Sequence, residues 1–413
     1  MSRNYLKGDC VVSWYIYFLG LAFLILGYGC SKSLSSGEGG DIPDANLRAA
    51  IEFALGKVPD ASITAAEMAT LSRLEAAGMN IRDLKGIEFA TGLTRLNLRD
   101  NSISDLAPLT NLNNLTVLDL YFNSISDITL LANLNSLNEL YLGNNSISDL
   151  APLANLINLT DLGLERNRIS DITPLKNLIH LTKLALNDNS ISDLAPLANL
   201  INLADLNIWN NGISDIRPLT NLTHLTELFI YDNSISDITP LANLTRLKWL
   251  ILSNNSISDL APLADLPNVE WLTLSKNSIS DIAPLTNLNT LYELYINDNS
   301  VSDITPLANL TRLNWLYLDN NNIPDITPLA NLTRLIWLHL DNNNISDIAP
   351  LTNLLRLRGL NISDNSISDL APLVANTGLN GRDRVNVWNN PLNVTSINTH
   401  IPALQARGVS VNF

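Results

Sequence analysis

The residues that could catalyse a reaction or hold a metal ion are few and scattered in this 413-residue sequence. The four histidines are His180, His224, His339 and His400. No two of them lie at a metal-ligand spacing, and the sequence contains no G-x-S-x-G, phosphate-loop or H-E-x-x-H motif. A base and an acid could meet only where His339 lies two residues before Asp341, and we interpret this histidine as a hydrogen-bonding interface residue. The sequence therefore predicts a protein without enzymatic activity, metal ion or cofactor.

Side chains suited to binding a partner are more numerous than candidate catalytic residues. Aromatic residues recur two, four or six positions before an asparagine that repeats along the chain. Tryptophan and tyrosine dominate the hot spots of protein interfaces, and a few polar side chains share their positions here. The candidate partner-binding residues are Trp209, Phe229, Tyr231, Trp249, Trp271, Glu293, Tyr295, Trp315, Tyr317, Asp319, Trp337, His339 and Asp341. Aromatic residues also suit strands for structural reasons, which is the alternative interpretation.

A strict repeat of twenty-two residues positions these side chains. Its asparagine recurs at Asn101, Asn123, Asn145, Asn167, Asn189, Asn211, Asn233, Asn255, Asn277, Asn299, Asn321, Asn343 and Asn365. Such a period predicts a solenoid, in which each unit buries its apolar face only against its neighbours. We expect the asparagines to form a buried ladder that bonds to the turn backbone of successive coils. Asp232, beside Asn233, is expected to be exposed and to tolerate substitution within about 0.5 kcal/mol.

The repeat reads L-x-x-L-x-L-x-x-N-x-I-S-D-[IL]-x-P-L-x-N-L, which resembles the leucine-rich repeat. The segment NSISDLAPLANL within it is similar to the repeats of the internalins of bacterial cell surfaces. The resemblance and the leucine alternation predict a curved α/β solenoid with a parallel β-sheet on the concave face and short 3₁₀ or helical turns on the convex face. A helical N-terminal cap is expected over residues 42–70, about 15 coils over 71–390, and a helix-plus-strand C-terminal cap over 391–413.

Residues 1–29 differ from the repeat and predict a signal peptide, followed by a flexible tether at residues 30–41. Arg3 and Lys7 precede an apolar run at residues 11–26, and small residues lead to Cys30. This layout resembles a bacterial lipoprotein signal, which implies lipidation of Cys30, although Gly27 stands where such signals prefer leucine. A retained membrane anchor is the alternative, because the run approaches the roughly 18 residues that a span requires.

The formal net charge of −15 argues against a nucleic-acid partner, since a phosphate-binding surface needs a basic stripe. The resemblance to internalins implies a protein partner at the outer surface of a bacterial cell, with membrane contact through the lipid anchor. Two alternatives stay open: binding of a glycan and a structural role as a spacer. The polar N-terminal half of the concave face, around Arg99, Glu165 and Asp205, is either a solvated surface or a second partner site. We expect a monomer.

Overall fold

The structure, a computed structural model, describes residues 41–413. Sixteen short parallel strands in this range form one sheet. Each strand pairs with the next one in the sequence, so the sheet order is the chain order. The strands are β1 Arg73–Glu75, β2 Arg95–Asn97, β3 Val117–Asp119, β4 Glu139–Tyr141, β5 Asp161–Gly163, β6 Lys183–Ala185, β7 Asp205–Asn207, β8 Glu227–Phe229, β9 Trp249–Ile251, β10 Trp271–Thr273, β11 Glu293–Tyr295, β12 Trp315–Tyr317, β13 Trp337–His339, β14 Gly359–Asn361, β15 Arg384–Asn386 and β16 Ser410–Asn412. The expected curved solenoid is confirmed. The expected signal peptide, Cys30 and nearly all of the expected tether lie outside the described residues.

Short helical turns return the chain from each strand to the next. The α-helices are α1 Ala45–Ala54, α2 Ala65–Ala69, α3 Ala371–Ala375 and α4 Ile401–Ala406. The 3₁₀ turns are Ile87–Phe89, Ala107–Leu109, Thr129–Asn133, Ala151–Leu153, Thr173–Asn177, Ala195–Leu197, Arg217–Leu219, Thr239–Leu241, Ala261–Leu263, Ala283–Asn287, Thr305–Leu307, Thr327–Asn331 and Ala349–Asn353, and Ser396–His400 is a π-helical turn. Each 3₁₀ turn from Ala107–Leu109 to Ala349–Asn353 begins where a repeat aspartate accepts a backbone N–H, as Asp105 Oδ1 does from Ala107 at 2.8 Å. Within residues 41–413, no helix is long and apolar enough to cross a membrane.

The N-terminal cap is joined to the first coil through one aspartate. Asp44 Oδ1 caps α1 by accepting the N–H groups of Asn46 and Leu47 at 2.9 and 3.1 Å. Its Oδ2 accepts the N–H groups of Arg82 and Asp83 at 2.8 and 3.2 Å. Partial burial acts to raise the pKa of Asp44, but these four donors outweigh it and hold the pKa below its ordinary value. The carboxylate therefore fastens the cap helix to the array.

The leucine columns fill the space between the sheet and the convex turns. Leu250 and Leu252, for example, are both 0% exposed. Because side chains alternate along a strand, the residues flanking each inward leucine point to the opposite, concave face. In β9, Trp249 and Ile251 flank Leu250 in this way and are only half-buried. The concave face is therefore free to vary without disturbing the core.

Each asparagine of the column ties its own coil to the preceding one. Asn233 Nδ2 donates to the carbonyl oxygens of Ile208, Ile230 and Tyr231 at 3.1, 3.2 and 3.2 Å. Its Oδ1 accepts the N–H of Ile213 at 3.0 Å. The same pattern begins at Asn101 and continues to the last coil, where Asn390 holds the position. One side chain thus satisfies backbone groups in its own coil and in the preceding coil.

The residue before each ladder asparagine adopts the left-handed backbone conformation. Asp232 has a φ of 53°, is half-buried and accepts a hydrogen bond from Asn254 Nδ2 at 2.5 Å. The expectation that Asp232 is exposed is therefore wrong, because its side chain is half-buried, whereas its tolerance of substitution stays a prediction. Alanine there would lose this bond and would disfavour the left-handed backbone, which aspartate and asparagine tolerate better.

Phe122 occupies the same left-handed position with a φ of 56°, although its aromatic side chain is poorly suited to it and is 50% exposed. We expect Phe122→Asn to raise the free energy of unfolding by about 1 kcal/mol, because asparagine relieves the backbone penalty. The reverse change in the next coil, Asn144→Phe, should lower it by a similar amount. Urea titration of both variants measures the effect. A loss of stability in Phe122→Asn would mean that the ring's contacts outweigh the backbone strain.

Candidate functional site

Strands β9 to β13 bring most of the candidate binding residues together on the concave face. We call this surface the aromatic plateau, and its members are Trp249, Trp271, Glu293, Tyr295, Trp315, Tyr317, Trp337 and His339. The parallel register sets Trp249 beside Trp271 and Trp315 beside Trp337. Residues twenty-two apart in the sequence thus become lateral neighbours, about 4.8 Å apart.

The rings of the plateau form two rows that touch one another. In the first row, Trp249 and Trp271 meet edge to face with centroids 5.9 Å apart, and Trp315 stacks on Trp337 at 5.9 Å. The second row is a continuous stack, with centroid distances of 4.5 Å from Tyr295 to Tyr317 and 4.4 Å from Tyr317 to His339. Trp271 joins the rows, since its centroid lies 6.5 Å from that of Tyr295.

The ring planes of the second row stand upright on the sheet. Their planes are within 14° and 22° of parallel, and their spacing matches the distance between neighbouring strands. Each ring therefore covers the face of the next and directs its edge toward solvent. All three side chains are half-buried as a result.

Three candidate residues lie apart from this arrangement. Trp209 and Tyr231 form a separate stacked pair, with centroids 4.9 Å apart and planes 10° from parallel. Phe229 points to the concave face but is only 9% exposed, so it offers little surface to a partner. The structure thus divides the candidate set into a plateau, a smaller pair and one buried ring.

A cluster of two carboxylates and one imidazole borders the plateau. Oxygen and nitrogen atoms of Asp319, His339 and Asp341 lie within 4.8 Å of one another. Burial raises the pKa of Asp319 to about 7, with the nearby Asp341 carboxylate adding to the effect, and burial raises the pKa of Asp341 to about 6. Burial also lowers the pKa of His339. Near neutral pH the cluster therefore carries less charge than its composition indicates.

Within residues 41–413, this cluster is the group whose atoms could hold a metal ion. The sequence pairs His339 with Asp341, but no spacing between histidines along the chain indicates that these residues and Asp319 form a possible metal-ligand set. The available signal was the repeat itself. Asp319 and Asp341 are twenty-two residues apart, and His339 lies two residues before Asp341 on the same strand face.

Asp319→Asn is expected to stabilise the fold at pH 8 by about 1 kcal/mol and to have little effect at pH 4. The folded-state pKa of Asp319, about 7, lies above the ordinary aspartate value of 3.8, so the free energy of unfolding falls as pH rises between these values. Asparagine cannot ionise and escapes this loss. Urea titrations with a chelator at both pH values measure it. The control is Asp303→Asn in a neighbouring coil, where hydrogen bonds from Thr305 lower the pKa and no gain at pH 8 is expected. An equal gain in both variants would contradict the explanation.

The polar side chains in the N-terminal half of the concave face are only partly paired with one another, and the buried Glu165 Oε2 has no hydrogen-bond partner among the described residues. The Arg99 guanidinium lies 4.2 Å over the Tyr121 ring, and Lys183 pairs with Asp161 at 3.6 Å. The Glu165 side chain fills space that Gly143 leaves open, since a Cβ there would lie 2.6 Å from its Cδ. Burial, followed by repulsion from Glu227, raises the pKa of Asp205 to about 6.

Comparison with known proteins places this geometry in a family. The model "Leucine Rich repeats (2 copies)" matches residues 91–133, 113–155, 135–177, 201–243, 245–287 and 267–309. The crystal structure of an internalin (inlF) from Listeria monocytogenes is 36% identical, with a TM-score of 0.71, over 87% of this chain and 99% of that one. This chain belongs to the internalin family of leucine-rich-repeat proteins. A search of curated protein sequences found no match.

Two more distant structures share the fold with this internalin-family chain. The functional domain of InlJ from Listeria monocytogenes, which includes a cysteine ladder, is 21% identical with a TM-score of 0.71, over 84% of this chain and 80% of that one. A leucine-rich-repeat protein from Leptospira interrogans is 20% identical with a TM-score of 0.64, over 84% and 97%. The ladder in this internalin-family chain is made of asparagines, and its two cysteines, Cys10 and Cys30, precede the described residues.

Proposed function

We propose that this internalin-family chain is a non-enzymatic, surface-exposed lipoprotein that binds a protein partner through the aromatic plateau. The observation that carries the proposal is the set of aromatic rings in two rows, in contact through Trp271 and Tyr295, on a face that the core does not use. Leucine-rich-repeat proteins of this family act as binding scaffolds. The plateau is the part of the repeat surface where large aromatic side chains are concentrated.

Rigidity supports binding by these rings. The ladder asparagines fix the turn backbone of each coil, and stacking restricts Tyr317 on both sides and Tyr295 and His339 on one side each. Little conformational entropy then remains to be lost when a partner docks, which favours affinity. Tryptophan and tyrosine also supply large contact areas with few rotatable bonds, the property that makes them frequent hot spots.

Ring orientation favours a protein over a glycan. A sugar ring stacks on the open face of an aromatic side chain, but in this row both faces of Tyr317 and one face each of Tyr295 and His339 are covered by neighbouring rings. The upright edges form a ridged apolar surface, into which aliphatic and aromatic side chains of a protein can pack. The neighbouring Glu293 carboxylate accepts a hydrogen bond from the Tyr295 hydroxyl at 3.0 Å and is thereby occupied within the face.

A cell-binding experiment tests the function. Fluorescently labelled protein is added to candidate host or bacterial cells that have been treated with protease, with glycosidases or with buffer alone. Protein recognition predicts that protease abolishes binding while glycosidases leave it unchanged. A matched variant, Trp271→Ala with Trp315→Ala, should bind weakly to untreated cells. Loss of binding after glycosidase treatment alone would support the glycan alternative, and absence of binding to every cell type would support a spacer.

The lipid anchor forms a separate part of the proposal, supported by the apolar run that ends at Cys30. Cys30→Ala is expected to abolish lipid labelling and to block processing after Gly29, because the thiol is the proposed lipid acceptor. Metabolic labelling with a palmitate analogue measures this, and Cys10→Ala is the control that should label normally. Equal labelling of Cys30→Ala and the native protein would rule out the lipoprotein signal and favour the retained anchor.

A further inference from the structure

The repeat loses its period at the C-terminal end of the plateau. Asn365 and Asn390 are twenty-five residues apart, three more than in the other coils. This longer coil contains Arg382, Asp383 and Arg384. Arg384 begins β15 and pairs laterally with Gly359, which in turn pairs with Trp337. On the strand position that holds Trp315 and Trp337, the next two strands thus carry Gly359 and Arg384.

Gly359 shapes this end of the column. A Cβ at residue 359 would lie 2.0 Å from Cε3 of Trp337, so the indole lies directly over the glycine backbone. The ring forms one wall of an open cavity of about 440 Å³. The cavity is lined by Trp337, Arg358, Arg382, Asp383 and Arg384, and we call it the arginine pocket.

The charges in the arginine pocket do not balance. Asp383 is 6% exposed at its side chain and pairs with Arg358 Nη1 at 3.1 Å, while also accepting the Asn380 N–H at 2.8 Å. One carboxylate thus satisfies one guanidinium. Within residues 41–413, Arg382 and Arg384 form no ion pair and are both exposed. Two free guanidinium groups therefore face one cavity in a chain whose net charge is −15.

We propose that the arginine pocket receives an acidic side chain of the protein that the aromatic plateau binds, an inference that rests on the proposed function. A guanidinium binds a carboxylate through two parallel N–H···O bonds, and two such groups can hold one carboxylate from both sides. The Trp337 wall packs against the aliphatic stem of that aspartate or glutamate. Because Trp337 belongs to both surfaces, one partner can reach them together. The pocket then fixes the position of the partner along the plateau.

A peptide selection tests the pocket without knowledge of the natural partner. The probe is a phage-displayed library of random twelve-residue peptides, selected on the immobilised full chain. We expect the selected peptides to combine aromatic or aliphatic residues with an aspartate or glutamate. Arg384→Gln and Arg382→Gln should each raise the Kd of a selected peptide about tenfold. Replacing the acidic residue of the peptide with the corresponding amide should have the same effect. The Arg384→Gln change combined with the amide peptide should weaken binding little beyond either change alone, because both remove one contact.

The controls separate the pocket from the plateau. Arg334→Gln, an exposed arginine outside the pocket, should leave the affinity unchanged. Selected peptides without acidic residues, or with equal affinity for Arg384→Gln, would overturn the pocket. If Trp249→Ala and Trp271→Ala still weakened the binding of those peptides, the plateau would be supported as a binding site without the pocket. Peptides whose binding is sensitive to Arg384→Gln but not to the tryptophan changes would support the pocket and overturn the plateau.

A competition experiment distinguishes a carboxylate site from a phosphate site. Displacement of the peptides by inorganic phosphate at far lower concentration than by acetate would identify a phosphate site and overturn the proposal. A library that enriches nothing would also overturn it.

Discussion

Replacing Trp249, Trp271, Trp315 and Trp337 together with alanine is expected to abolish partner binding while the array still unfolds cooperatively. Truncation of an interface hot spot typically weakens binding by about 2 kcal/mol or more. Even with incomplete additivity, four such changes should raise Kd by at least about a thousandfold. Surface plasmon resonance with the captured partner or with a selected peptide measures this loss.

Stability should respond far less than binding to the same four substitutions. The tryptophans lie on the concave face, whereas leucines such as Leu250 fill the core on the other side of the strand. The ring contact within each tryptophan pair contributes about 0.5–1.5 kcal/mol per pair beyond area burial, and the area that each half-buried indole covers adds to the loss. If the four residues belonged to the core, each substitution would instead lower stability by about 3–5 kcal/mol. Circular dichroism melting of the same preparation distinguishes the two cases.

Two single variants calibrate this experiment. Trp388→Ala removes a tryptophan that is 53% exposed and lies outside the plateau, so binding and stability should both be retained. Leu250→Ala opens a cavity in the core and should lower stability by about 2–5 kcal/mol. Loss of the cooperative thermal unfolding transition in the quadruple variant would show that the tryptophans have a structural role. A folded quadruple variant with undiminished binding would move the site to the polar N-terminal half.

The sequence predicts the backbone of this protein well, because every coil repeats the same hydrogen bonds. A period of twenty-two residues determines which strands are neighbours, and so it predicts the contacts from Trp249 to Trp271 and from Trp315 to Trp337. It also predicts the place of Asn233 next to turn backbone. These features depend on the register alone, and every repeat contributes information about the register.

Side-chain orientation was not predictable in the same way, since it depends on unique neighbours in three dimensions. The sequence does not reveal that Phe229 is covered while the adjacent column remains accessible, or that Tyr295 and Tyr317 stand upright. The arginine pocket exists because Gly359 lets the Trp337 ring lie over its backbone, a condition that no single position displays. The candidate site was thus predicted as a set of residues, but its division into a plateau, a pair and one buried ring, and the presence of the pocket beside it, needed the structure.

Asn233→Ala is expected to lower the free energy of unfolding by about 1–3 kcal/mol, because it leaves a buried backbone donor without an acceptor. The orphaned group is the Ile213 N–H, which Asn233 Oδ1 accepts at 3.0 Å. The Ile208 carbonyl also loses a donor, but Asn211 Nδ2 still donates to it at 3.2 Å. The loss should therefore be concentrated on one amide in the preceding coil.

Hydrogen exchange locates that loss, and urea titration gives its size. The Ile213 N–H should exchange much faster in Asn233→Ala, while amides several coils away keep their protection because each coil contacts only its neighbours. Asp232→Asn is the matched control, since asparagine tolerates the left-handed backbone and keeps an oxygen for the Asn254 amide. It should change stability by less than about 0.5 kcal/mol. Equal losses in the two variants, or an unchanged Ile213 exchange rate, would show that the ladder does not stabilise the array through this bond.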